Sequence, residues 1–168
     1  NGITENNVTI FGYGFSGSGK TFNLGLADSD GWKNGLIYKA LDQLIKSNKN
    51  VKLKDVYDLY GIFKFKNKKI ENKEEKRSYN EMAPNLFQSD LTIMDLIGND
   101  EIGPLGKFLT DQLAKKRMTD GMVKWTPNNP TSSRAHLFIQ FKVWMEKEDD
   151  AKTLTFIDMG GSENIFDI

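Results

Sequence analysis

The stretch GYGFSGSGKTF, Gly12 to Phe22, sets four glycines and two serines around one lysine and one threonine. A flexible linker would explain the glycines but not the Lys-Thr pair that ends the run. Gly14-Phe15-Ser16-Gly17-Ser18-Gly19-Lys20-Thr21 fits G-x-x-x-x-G-K-[ST], the spacing of a phosphate-binding loop. Small residues let successive backbone N–H groups turn inward around phosphate oxygens, where side chains would block approach. Lys20 would reach the β- and γ-phosphates, and the Thr21 hydroxyl would ligate Mg²⁺. A helix starting near Gly19 would add the positive end of its dipole.

These residues need scaffolding, and the flanking patterns supply it. Val8 to Phe11 is a β-branched and aromatic run, read as a buried strand leading into the loop. Leu36, Ile37, Ala40, Leu41, Leu44 and Ile45 recur at helical spacing after Gly35. In VKLKDVYDLYGIFKF the period becomes two, with Val51, Leu53, Tyr57 and Leu59 apolar and Asp58 among the polar positions, giving one strand or two joined at Gly61. Lys66 to Arg77 mixes both charges and reads as a solvated loop tip. Leu91 to Ile97 reads as a short strand. Leu105, Phe108, Leu109 and Leu113 form a helical stripe ending at Lys115-Lys116-Arg117, cations favoured at a helix C-terminus. Leu137, Ile139, Phe141, Val143 and Met145 alternate strictly, and Leu154 to Ile157 is a further strand ending at Asp158. Strands interleaved with helices indicate an α/β domain around a central sheet.

Two further segments sit at the ends of those last strands. Asn129-Pro130-Thr131-Ser132-Ser133-Arg134-Ala135-His136 precedes one, and Asp158-Met159-Gly160-Gly161-Ser162-Glu163 closes the other. With the loop, and in the same order, they resemble the P-loop, switch I (N-x-x-S-S-R-S-H) and switch II (D-L-A-G-S-E) of the kinesin motor domain. GLIYKALDQLI is similar to that family's G-I-I-P-R-A-L helix. The likeness is plainest over residues 9–44 and 117–163, and 64–103 has no clear counterpart. It implies a three-layer P-loop NTPase with a central mixed β-sheet flanked by helices, comprising residues 1–168 as one partial motor core.

The resemblance implies roles residue by residue. Gly14, Phe15, Ser16, Gly17, Ser18, Gly19, Lys20 and Thr21 would cradle ATP, and Phe22 stands where the family stacks a ring on adenine. Thr21 and Ser133 would hold Mg²⁺, with Asp158 acting through water. Asn129 and Ser133 would close on the γ-phosphate, Ser132 would help place the attacking water, and the Gly161 N–H would sense the γ-phosphate. Arg134 and Glu163 would pair to close the pocket, with Glu163 moving the proton off water. Such loops order only when a γ-phosphate is present, which turns hydrolysis into a switch.

Plainer readings stand beside these. The serines and Asn129 suit a turn, Arg134 and Glu163 suit a surface pair, and Phe22 suits the core. His136, the single histidine, reads as a hydrogen-bonding residue at a strand start. Ala135, Met159, Gly160, Asn164 and the Tyr38-Lys39 pair depart from the family pattern. None of them removes a phosphate, Mg²⁺ or proton-handling group.

Composition narrows the class. With 23 basic and 23 acidic residues the net charge is zero, so the whole fold exerts no pull on nucleic acid. There is no cysteine, which excludes disulfides and Cys-based metal sites. No apolar run approaches ~18 residues. These features suggest a soluble intracellular protein with no membrane contact, and the resemblance implies a cytoplasmic one of the cytoskeleton with microtubules or tubulin as partner. The family's first strands are expected before Asn1, and its main microtubule-binding helices after Ile168. A motor core that hydrolyses ATP is the leading reading. A motor fold kept as a non-cycling binding module is the second, and a GTPase, lacking an N-K-x-D motif here, is third.

Overall fold

The computed structural model describes residues 5–66, 69–88, 91–98, 101–126, 129–133 and 135–161. Val8–Gly12 forms β1, the loop follows, and Lys20–Leu24 forms the short helix α1. Leu36–Lys46 is α2, Asn50–Lys66 is β2 and Lys69–Ser78 is β3. Ile93–Ile97 is α3 and Pro104–Lys107 is α4, which runs through a π-helical turn, Phe108–Gln112, into α5, Leu113–Thr119. Val123–Thr126 (β4) pairs with Asn129–Ser133 (β5), followed by His136–Trp144 (β6) and Lys152–Asp158 (β7).

The main sheet has the order β1-β7-β6-β2-β3. β1 and β7 are parallel, and the remaining neighbours are antiparallel, so the sheet is mixed as expected. Alternation along β6 turns Leu137, Ile139, Phe141 and Val143 inward. They meet Ile37, Leu41 and Leu44 of α2, Leu96 and Ile97 of α3, and Leu105, Phe108 and Leu113 of the long helical segment in one core. Phe141 and Phe156 pack edge to face at 6.2 Å. Each fully buried side chain of this size contributes ~1.5–3 kcal/mol. The opposite face carries Phe138 stacked on Tyr57 at 4.9 Å. The second helical layer expected there is not among the described residues.

Three elements differ from the sequence reading. Residues 69–78 form a strand rather than a loop tip, paired with β2 from Tyr57 to Lys66. Beyond Leu59 that ribbon has no pairing with β6 among the described residues, and cross-strand backbone hydrogen bonds between β2 and β3 hold it. Residues 93–97 form a helix rather than a strand, because Thr92 caps it. The Asp95 N–H donates to Thr92 Oγ1 at 3.2 Å and the Thr92 N–H donates back to Asp95 Oδ2 at 2.9 Å. The hydrogen bonds from Thr92 hold the Asp95 carboxyl below its ordinary pKa. The third difference is a register shift between Leu53 and Asp55, a β-bulge that reverses the alternation of β2. Val56 and Asp58 therefore face the core, and Tyr57 faces out.

α1 and α2 meet through glycine. Gly25 closes α1 in the left-handed region (φ 87°), and Gly35 precedes α2 against it. A Cβ on Gly35 would lie 2.6 Å from the Leu24 carbonyl oxygen and 2.5 Å from the Gly25 nitrogen. No rotamer relieves a backbone clash. Gly35→Ala is expected to cost about 3 kcal/mol and lower the melting temperature by about 6–12 °C, read in a thermal melt.

Candidate nucleotide site

The loop and β7 meet because β1 and β7 run parallel, in a register that sets Gly12 beside Asp158. Both strands then end at the same edge, where ligands of α/β sheets bind. Gly14, Gly17 and Gly19 adopt φ of 146°, 80° and 85°. At Gly14 a Cβ would also come within 2.8 Å of Ser18 Oγ, so the loop closes on itself only with glycine there. Lys20 Nζ folds over this cradle and donates to the carbonyls of Gly14 (2.8 Å) and Phe15 (2.7 Å). The ammonium thus sits at the centre of the loop. α1 is only five residues long, so its dipole adds less than a full helix would.

Thr21 points across to β7. Its hydroxyl donates to Asp158 Oδ2 at 2.8 Å. Asp158 is 1% exposed, and its Oδ1 has no hydrogen-bond partner among the described residues. Burial pushes its carboxyl pKa up, opposed by the Thr21 hydrogen bond and by the charges of Arg117 and Lys20. A hydroxyl and a carboxylate with a free buried oxygen form an all-oxygen donor pair. That suits Mg²⁺, which takes one or two protein oxygens and completes its shell with water and phosphate.

A cavity of about 330 Å³ opens beside this pair. Ser16, Gly17, Gly19, Lys20, Thr21 and Phe22 line one side, Met159 and Gly161 another, and Leu109, Leu113, Arg117 and Met118 the wall formed by the π turn and α5. Phe22 is 61% exposed at the rim, so it is not a core residue. His136 accepts a hydrogen bond at Nδ1 from the Gly160 N–H at 3.0 Å, as its reading as a hydrogen-bonding residue anticipated. That contact ties the segment after Asp158 to the start of β6.

The backbone of Asn129, Ser132 and Ser133 lies in β5, a strand where a turn-like loop was read. Arg134 and Glu163 lie outside the described residues, as does Ser162. The structure adds residues that the sequence reading passed over. Arg117 is 5% exposed rather than a solvated helix-end cation, and its Nε donates to Asp58 Oδ2 at 3.0 Å. Tyr79 donates to the same oxygen at 2.7 Å. A signal for Arg117 was available, since it continues Leu109 and Leu113 at i+4 spacing along one face. None was available for Asp58, which only the bulge turns inward.

Comparisons with known proteins bear on this geometry. A family profile described as Kinesin motor domain matches residues 1–167. The chain belongs to the kinesin motor domain family. Among curated relatives it is 27% identical to Kinesin-like protein KIN-14M of Arabidopsis thaliana, an alignment covering 94% of this chain and 23% of that protein. It is 28% identical to Carboxy-terminal kinesin 2 of Xenopus laevis, covering 94% and 26%. The chain thus spans about a quarter of the length of these kinesins. Among solved structures, the motor domain of Kar3 from Candida glabrata is 14% identical with a TM-score of 0.35, over 95% of this chain and 50% of that one. KIF14 bound to ADP in complex with a microtubule is 15% identical with a TM-score of 0.42, over 96% and 48%. At those scores the family profile carries the assignment. Among the described residues no helix is long and apolar enough to cross a membrane.

Thr21→Val would leave Asp158 buried without its one donor among the described residues. The unliganded chain is expected to lose about 1–3 kcal/mol, while Thr21→Ser keeps most of its stability; denaturant unfolding distinguishes the two.

Proposed function

We propose that this kinesin-family chain binds Mg-ATP in the 330 Å³ cavity and hydrolyses it, coupling the step to movement of the 129–136 and 158–163 segments. The observation that carries the reading is the Thr21–Asp158 contact beside the Lys20-filled loop. One cation, one hydroxyl and one buried carboxylate converge at the edge of a parallel strand pair. Phosphoryl transfer requires that kind of positioning and charge neutralisation more than covalent chemistry.

In this reading Lys20 leaves the Gly14 and Phe15 carbonyls for the β- and γ-phosphates. Loop N–H groups take the remaining phosphate oxygens, and Phe22 at the rim stacks on the base. Thr21 and Ser133 would hold Mg²⁺ directly and Asp158 through water; the bound ion would neutralise charge on the phosphates. Asn129 and the Gly161 N–H approach the γ-phosphate. Ser132 orients the attacking water, and Glu163, paired with Arg134, accepts its proton. Microtubules are the partner that the family suggests, and the KIF14 structure is of a motor on that lattice.

The deciding experiment is a thermal melt with and without Mg-ATP, beside Lys20→Ala. Saturation at about 100 times Kd adds ~2.7 kcal/mol, worth roughly 5–10 °C in a domain of this size. That shift is expected in the unsubstituted chain and absent in Lys20→Ala. A cooperative melt that ignores Mg-ATP would instead favour a non-cycling binding module. Glu163→Ala is expected to keep the Mg-ATP shift and lose turnover, and steady-state hydrolysis at the unsubstituted rate would remove Glu163 from the proton-transfer role.

A further inference from the structure

Arg117 joins three parts of the molecule that are remote in sequence. From α5 its Nε reaches Asp58 Oδ2 on β2 at 3.0 Å, and its Nη2 donates to the Ala135 carbonyl at 3.3 Å. The same side chain lines the cavity beside Lys20 and Thr21. Asp58 is 0% exposed, and the same Oδ2 also accepts from the Tyr79 hydroxyl. Stability alone does not account for this arrangement. Apolar side chains of similar volume often replace a buried ion pair with no loss of stability or with gain. Leucine at 117 would extend the Leu109–Leu113 stripe. What an apolar side chain could not supply is the hydrogen bond to Ala135. That carbonyl belongs to the segment joining β5, which carries Asn129, Ser132 and Ser133, to β6.

We propose that Arg117 is a positioning residue that pins the Ala135 carbonyl and so sets β5, Asn129–Ser133, to close on the terminal phosphate of a nucleoside triphosphate. Asp58 orients the guanidinium fork, and Tyr79 adds a second donor to the same Asp58 oxygen. The proposal rests on the nucleotide-binding reading and adds that discrimination between tri- and diphosphate depends on a residue outside the three sequence motifs. Arg117 acts through the backbone of Ala135.

The test compares affinities for Mg-ADP and for a non-hydrolysable Mg-ATP analogue, by displacement of a fluorescent nucleotide. Arg117→Lys keeps the charge but loses the planar fork that serves two acceptors. The double variant D58L/R117M removes both charges together, so no unpaired charge is left to prevent folding. In both, the preference for the triphosphate over Mg-ADP is expected to fall at least about fivefold, about 1 kcal/mol at 1.4 kcal/mol per tenfold. Tyr79→Phe keeps the Ala135 contact and is expected to leave the preference within about twofold. An unchanged preference in either folded Arg117 variant would overturn the proposal, leaving Arg117 as the neutralising partner of Asp58. Equal loss of both affinities in a chain that still melts cooperatively would overturn it too. An unsubstituted chain that binds both nucleotides without preference would do the same. An unsubstituted chain that binds neither would overturn the nucleotide reading itself, and this inference with it.

Discussion

A hydroxyl and a carboxylate 137 residues apart, Thr21 and Asp158, meet at 2.8 Å, and the rest of the site is arranged around them. The contact exists because β1 and β7 pair in parallel with Gly12 opposite Asp158. A slip of one residue would turn Asp158 to the other face of the sheet and carry Leu154 and Phe156 out of the core with it. The hydrophobic core and the polar site therefore share one register. The core residues lock the strand pair, and the strand pair brings the carboxylate to the loop.

The same region buries a second carboxylate, Asp58, with Arg117 and Tyr79. Burial, then the hydrogen bond to Asp58 and its charge, raise the pKa of the Tyr79 hydroxyl far above its ordinary value, so it stays a donor at any working pH. Asp58 and Asp158 each retain one oxygen without a hydrogen-bond partner among the described residues. Unsatisfied buried acceptors cost ~1–3 kcal/mol apiece. Departures of this kind from a well-satisfied interior are expected at functional sites. Here the two are linked by Arg117, which lines the cavity, pairs with Asp58 and whose charge acts on Asp158.

The elements that could be read from sequence were the strongly periodic ones. The strand before the loop, the α2 stripe, the alternation of β6 and the strand ending at Asp158 all stand where their patterns place them, although β1 is not the buried strand it was read as, with Phe11 59% exposed. The misreadings have separate causes. Residues 69–78 lack alternation because the ribbon is held by cross-strand backbone pairing, which leaves no trace in hydrophobicity. Residues 93–97 are apolar enough for either class of element, and the Thr92–Asp95 cap settles them as helix. Asp58 was placed among the solvent-facing residues because a two-residue period was extended through a bulge.

The phosphate loop and the segments that flank the two later strands were legible in the sequence itself. Their chemistry resides in contiguous residues, where glycine spacing, one lysine and one threonine suffice to define a cradle. The tertiary structure alone decided that Asp58 faces inward, that Arg117 pairs with it, and that Arg117 reaches the Ala135 carbonyl beside the cavity. Whether a charged side chain is buried depends on strand register and on partners from distant segments. Those partners become neighbours only when the sheet closes.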